Sequence, residues 1–124
     1  MKTLKSGVDI IKNSRIKVLL DKYDEKFLNK LFTSKEKEYI LYRKKDFKTI
    51  AGLFAAKEAI SKVTGSGIGK LSWRDIEILH NKSGRPYVNL SGKLENMLNT
   101  LNLKEIDISI SHEEEFSIAF AIGY

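Results

Sequence analysis

The chain has no cysteine, one proline and two histidines in 124 residues. Without cysteine there are no disulfides, no thiolate catalysis and no cysteine-based zinc site. Two imidazoles, His80 and His112, speak against a multi-histidine metal centre. Long apolar runs are also missing. The opening segment MKTLKSGVDII meets charges at once, so it does not read as a signal peptide. No stretch is long enough to span a membrane, and the expected location is the cytoplasm. Glycine-rich repeats, low-complexity segments and linkers are absent. The length and a 42% hydrophobic share fit one domain, residues 1–124, with one core.

Acidic excess is missing as well. The net charge is +6, and it is unevenly spread. Residues 1–48 hold 14 Lys and Arg against 7 Asp and Glu, whereas residues 49–124 hold 8 against 9. A basic first part favours an anionic partner: nucleic acid, a phosphorylated cofactor or an acidic protein. For any single lysine, a solvated surface role is the ordinary reading.

The stretch 51–70, AGLFAAKEAISKVTGSGIGK, stands out. It predicts an Ala-rich helix over about 48–63, stopped by glycine. Helical spacing puts Phe54, Glu58, Ser61 and Lys62 on one stripe and Ile50, Leu53, Ala56 and Ile60 on a buried one. Glu58 and Lys62 could be a plain surface ion pair at i, i+4. The small, apolar surroundings of Glu58 argue for a packed helix instead. A carboxylate, a hydroxyl and an ammonium followed by a glycine turn suggest phosphate handling. The turn is not a P-loop, since Thr64 and Leu71 stand where glycine and a hydroxyl residue are required. Nor is it a dinucleotide fingerprint, since Lys70 replaces the third glycine and the turn follows a helix.

The rest orders simply. Residues 3–11 predict a strand ending near Asp9, an acid that could cap the next helix or ligate a metal. Residues 13–22 predict an amphipathic helix capped by Asn13 or Ser14, with Arg15 and Lys22 off its apolar face. Phe27, Leu28, Leu31 and Phe32 follow at helical spacing. Thr33 and Glu36 fit a capping box for a helix through Tyr42. The basic run 43–48 precedes the central helix, with Asp46 or Thr49 as its cap. Residues 73–79 and 85–90 predict strands around the turn 80–84, and 91–102 a short helix or loop. Residues 106–111 and 116–124 alternate as a hairpin, with His112 at its turn. The class is α+β: an N-terminal strand, three helices, then a mainly antiparallel sheet.

GVDIIKNSRI (7–16), FAAKEAISK (54–62), GSGIGK (65–70), DIEIL (75–79), SGRPY (83–87) and SISH (109–112) occur in this order. Together they resemble the holo-[acyl-carrier-protein] synthase family, the small bacterial type of 4′-phosphopantetheinyl transferase. The resemblance spans nearly the whole chain. It implies transfer of the 4′-phosphopantetheine arm of coenzyme A to a serine of apo-acyl carrier protein. Adenosine 3′,5′-bisphosphate is released, Mg²⁺ is required, and the reaction supports fatty acid biosynthesis. It also implies a homotrimer with sites shared between neighbours, and neither nucleic acid nor membrane as partner. Asp9 and Glu58 match the family's metal ligands. Lys62 matches the lysine near the diphosphate, which makes Asp9, Glu58 and Lys62 the expected catalytic set. Ser61, Gly65 and Gly67 match coenzyme-lining positions. Arg85, Pro86 and His112 match positions near the adenosine and its 3′-phosphate, and Lys45 a phosphate contact. Arg15, Leu19, Lys22 and Phe54 match the face toward the carrier protein. Two positions depart: Lys12 replaces a usual Glu, and Leu53 an arginine often found there. Two other readings stay open on the residues. One is a nucleic-acid-binding domain resting on pI 9.4, Tyr39, Tyr42 and Trp73. The other is a nucleotide- or phosphopantetheine-binding module without activity.

Overall fold

The computed structural model describes residues 3–65 and 70–124. Strand β1 (Lys5–Lys12) leads into helices α1 (Asn13–Tyr23), α2 (Glu25–Leu31), α3 (Ser34–Tyr42) and α4 (Phe47–Thr64). A 3-10 turn at Trp73–Asp75 precedes β2 (Glu77–His80) and β3 (Pro86–Asn89). Helix α5 (Gly92–Thr100) and strands β4 (Ile106–His112) and β5 (Phe116–Gly123) complete the chain. The main sheet is antiparallel in the order β1-β5-β4, and β2 with β3 forms a separate hairpin.

The α+β class stands, but there are five α-helices among the described residues where three were expected. Asp24 takes φ 43°, a conformation an L-residue rarely adopts inside a helix, and it divides α1 from α2. Leu94 and Leu98, one turn apart and both buried, fold 92–100 onto the core as α5. Residues 73–75 curl into the 3-10 turn rather than extending, so the expected strand begins only at Glu77. Asn13 does not cap α1 with its side chain; it is the first helical residue and turns inward. Asp46 does cap α4, its Oδ1 accepting from the Lys48 amide at 3.2 Å. The Thr33–Glu36 capping box is present in both directions.

Helix α4 is the axis of the molecule. It lies across the inner face of the main sheet and also packs against α1. Its buried side is built from Ala51, Gly52, Ala55, Ala56 and Ala59, and the facing residues of β5 are Ser117, Ala119, Ala121 and Gly123. Small residues on both partners let helix and sheet approach closely. The bulky residues of β5 therefore point outward.

Candidate active site

A stripe of α4 escapes burial. Phe54 and Glu58 are half-buried and Lys62 is exposed, at i, i+4 and i+8. Strand β1 lies alongside because Gly7 has no side chain. A Cβ there would meet the Ala59 carbonyl oxygen at 2.0 Å and Lys62 Cβ at 3.0 Å. That close approach brings Asp9, two residues on, beside Lys62. The Lys62 ammonium donates to the Val8 carbonyl at 2.8 Å and lies 3.7 Å from Asp9 Oδ1. Burial holds the Asp9 carboxyl above its ordinary pKa, against the pull of Lys62 and of Arg15. Burial also raises that of Glu58, and the negative charge of Asp9 raises it further. The two carboxylates expected from sequence are thus close enough to repel, and the Lys62 ammonium attracts both.

The remaining expected residues are placed differently. Ser61 is fully buried, and its hydroxyl donates back to the Glu58 carbonyl at 2.7 Å. Gly65 ends α4 at φ 73°, a left-handed C-cap. Gly67 lies outside the described residues. Lys45 pairs with Glu25 at 3.2 Å and Asp24 at 3.5 Å. Arg85 reaches Asp107 at 3.3 Å, tying the β2–β3 hairpin to β4.

Pro86 and His112 come together in a pocket of about 170 Å³, with Tyr39, Arg43, Thr49, Gly52 and His80. Leu53 forms part of the same wall, so the departure from arginine places an apolar, buried side chain there. The His112 ring lies directly over Gly52: a Cβ at that glycine would sit 2.4 Å from His112 Cε1. His80 stacks on Tyr39 at a centroid distance of 3.6 Å, with its Nδ1 buried and unpartnered among the described residues. Asp9, Glu58 and Lys62 do not line this pocket. On one chain the expected site therefore falls into an acidic part and a basic, histidine-lined part.

Along α1, Arg15 and Lys22 are exposed, and Leu19 is half-buried. Leu19 and Phe54 share a groove of about 430 Å³ with Phe27 and Trp73, rimmed by Lys26 and Lys30. Trp73 stacks on Phe54 at 4.9 Å, so two of the aromatics considered for nucleic-acid stacking, Trp73 and Tyr39, already have ring partners.

Sequence reasoning passed over Lys57, the first residue of the KEA segment. It is fully buried, and its ammonium donates to Glu36 Oε1 at 2.7 Å and to the carbonyls of Trp73 and Ile76 at 2.9 and 2.6 Å. Glu36 in turn accepts from the Thr33 and Ile78 amides. Every proton of the ammonium has an acceptor, which is the condition for burying a charge. The available signal was a lysine in the middle of an otherwise small and apolar run.

A hard divalent cation fits the acidic part. Asp9 and Glu58 are oxygen donors whose mutual repulsion such an ion relieves, and Mg²⁺ characteristically takes one or two carboxylates and keeps several waters. No group of three or more His, Asp or Glu side chains placed to hold a metal ion exists among the described residues.

The chain belongs to the 4′-phosphopantetheinyl transferase superfamily, whose ACPS family model matches residues 5–121. Its relatives narrow the comparison. It is 48% identical over 116 residues to a holo-[acyl-carrier-protein] synthase of Clostridium botulinum, covering 94% of this chain and 93% of that protein. It is 44% identical over 119 residues to the one of Caldanaerobacter subterraneus, again covering 94% and 93%. Among solved structures it resembles the Helicobacter pylori holo-[acyl-carrier-protein] synthase in complex with coenzyme A. There the TM-score is 0.84 at 32% identity, over 96% of this chain and 99% of that one. The Neisseria meningitidis synthase gives a TM-score of 0.88 at 31% identity, over 97% of both chains.

Proposed function

We propose that this chain, acting as one domain, transfers the 4′-phosphopantetheine arm of coenzyme A to a serine of an apo-acyl carrier protein. The observation that carries this reading is the meeting of Asp9, Glu58 and Lys62 where β1 crosses α4. The relatives' shared name supports the carrier protein as acceptor, and the Helicobacter pylori synthase in complex with coenzyme A supports the donor.

The serine oxygen forms a bond to the β-phosphorus of coenzyme A. The bond from that phosphorus to the bridging oxygen breaks, and adenosine 3′,5′-bisphosphate leaves with the electron pair. Asp9 and Glu58 are the residues that would hold Mg²⁺, which supplies Lewis-acid neutralisation of the diphosphate. Lys62 stands one turn beyond Glu58 and offsets charge on the departing phosphate. A water oriented by Asp9 or Glu58 takes the serine proton. Pro86 and His112 receive the nucleotide end of the coenzyme, and Arg85 and Lys45 approach its phosphates. Arg15 and Lys22 meet the acidic carrier protein, with Leu19 and Phe54 as the apolar contact.

We assign a homotrimer with composite sites. The number three follows the family resemblance, and two observations support association: the acidic and histidine-lined parts are separate on one chain, and the outer sheet face is apolar. The direct test is to incubate the protein with coenzyme A, Mg²⁺ and apo-carrier protein and weigh the product. A gain of one phosphopantetheine arm per carrier, with release of adenosine 3′,5′-bisphosphate, is expected. Carrier protein of unchanged mass overturns the reading.

A further inference from the structure

We propose that Asn13 and Ser117 are positioning residues for His112, fixing its proton on Nδ1 and leaving Nε2 bare toward the pocket. The inference rests on the reading of that pocket as the coenzyme site. Its basis is a hydrogen-bond chain, buried at its Ser117–Asn13 centre, whose direction can be deduced. The Asn13 side-chain amide donates to the Glu113 carbonyl at 2.9 Å and the Glu114 carbonyl at 3.2 Å. Only an NH₂ group can serve two carbonyls, so the other amide atom is oxygen and accepts. Ser117 donates its single hydroxyl proton to that oxygen at 2.6 Å. The same Ser117 oxygen lies 2.8 Å from His112 Nδ1. With its proton already committed, the hydroxyl can only accept there, so Nδ1 must carry hydrogen.

The consequence lies on the other side of the ring. The Cε1–Nε2 edge of His112 sits over Gly52, and both residues line the pocket with Pro86 and Arg43. A neutral His112 held this way offers a lone pair, which accepts from an N–H or O–H donor. A free imidazole lacking the relay can place its proton on Nε2 instead and present a donor. Asn13 and Ser117 are both fully buried, so water does not supply a substitute for either. Asn13 also anchors the β4–β5 turn, its backbone N–H donating to the Glu115 carbonyl at 2.8 Å. The ring's support is thereby fixed at both ends.

The test is long-range ¹H–¹⁵N correlation of the imidazole nitrogens in the ¹⁵N-labelled full chain above neutral pH. His112 is expected to show a protonated Nδ1 and an unprotonated Nε2. In Ser117→Ala the pattern should shift toward protonated Nε2, and the KM for coenzyme A should rise about three- to tenfold, the scale of one hydrogen bond. The KM for carrier protein should stay level. Ser117→Ala strands the Asn13 oxygen, so Asn13→Leu/Ser117→Ala removes both ends of that buried bond; the Glu113 and Glu114 carbonyls it releases belong to exposed turn residues and pair with water. It should fold and show the same shift. A wild-type His112 protonated on Nε2, or a pattern unmoved in both variants, overturns the relay. An unaltered coenzyme KM in His112→Ala overturns the coenzyme reading of the pocket and leaves the tautomer result to judge the relay.

Discussion

Replacing Asp9 or Glu58 by Ala removes one of two repelling carboxylates without opening the core, since neither is fully buried. Each variant should fold with a near-wild-type melting temperature and lose transfer activity by on the order of 10²–10³, the usual cost of losing charge stabilisation. Turnover close to wild type in either variant would remove it from the site. The histidines give a pH test. Burial lowers the pKa of both, helped at His80 by Arg43. At His112, Asp46 opposes the shift while Arg43 and Lys48 add to it. The unfolded chain thus binds protons below about pH 6.5 that the folded protein resists, and stability falls as pH drops through that range. Thermal melts at pH 7 and 5.5 should show a smaller loss for His80→Asn than for wild type; equal losses would mean His80 carries no such linkage. At this scale the sequence reading went furthest where charge stood out against apolar surroundings, as at Glu58. It passed over Lys57 because burial of a lysine depends on acceptors from α3, the 3-10 turn and the segment before β2, none adjacent in sequence.

Between elements, the junction of β1 and α4 decides the geometry of the site. Gly7→Ala places a methyl against the Ala59 carbonyl, and backbone cannot yield as a flexible side chain does. The strand must lift, which separates Asp9 from Glu58 and Lys62. Overpacking of this kind typically costs about 1–3 kcal/mol. A lowered melting temperature is expected and, under the proposed Asp9–Glu58 metal site, a raised Mg²⁺ requirement; loss of stability with no change in Mg²⁺ response would overturn that site. Helix α1 makes a separate prediction. Arg15→Glu reverses an exposed charge beside the Leu19–Phe54 groove, and should raise the KM for an acidic carrier protein far more than that for coenzyme A. Equal effects would argue against docking on α1. The helices read from periodicity were those with a long apolar stripe, α1, α3 and α4. The break at Asp24 rests on one residue's φ, which no period registers, and the sequence of 91–102 allows either a short helix or a loop. Ser61 shows the same limit: helical spacing puts it near Glu58 and Lys62, but packing against neighbouring elements buries it.

For the molecule as a whole, the alternation in 116–122 marks a face but not its direction. Phe116, Ile118, Phe120 and Ile122 share one face of the strand, and the alternation alone leaves open which way it looks. They look outward because β5 gives its small residues to α4. Across β1, Val8 pairs with Phe120 and Ile10 with Ile118, so four large apolar side chains, all more than 40% exposed, form one contiguous patch. A patch of this kind on a sheet is the mark of an interface. The composite-site proposal requires association, and this patch on β1 and β5 is the face that supports it. Phe120→Glu puts a charge at the centre of the patch without touching Asp9, Glu58 or His112. Sedimentation should show the proposed trimer for the parent chain and a monomer for the variant at micromolar concentration, transfer should fall with it, and the far-ultraviolet circular dichroism of the folded chain should persist. A monomer that keeps full activity would show that each chain holds a complete site and would undo the composite arrangement.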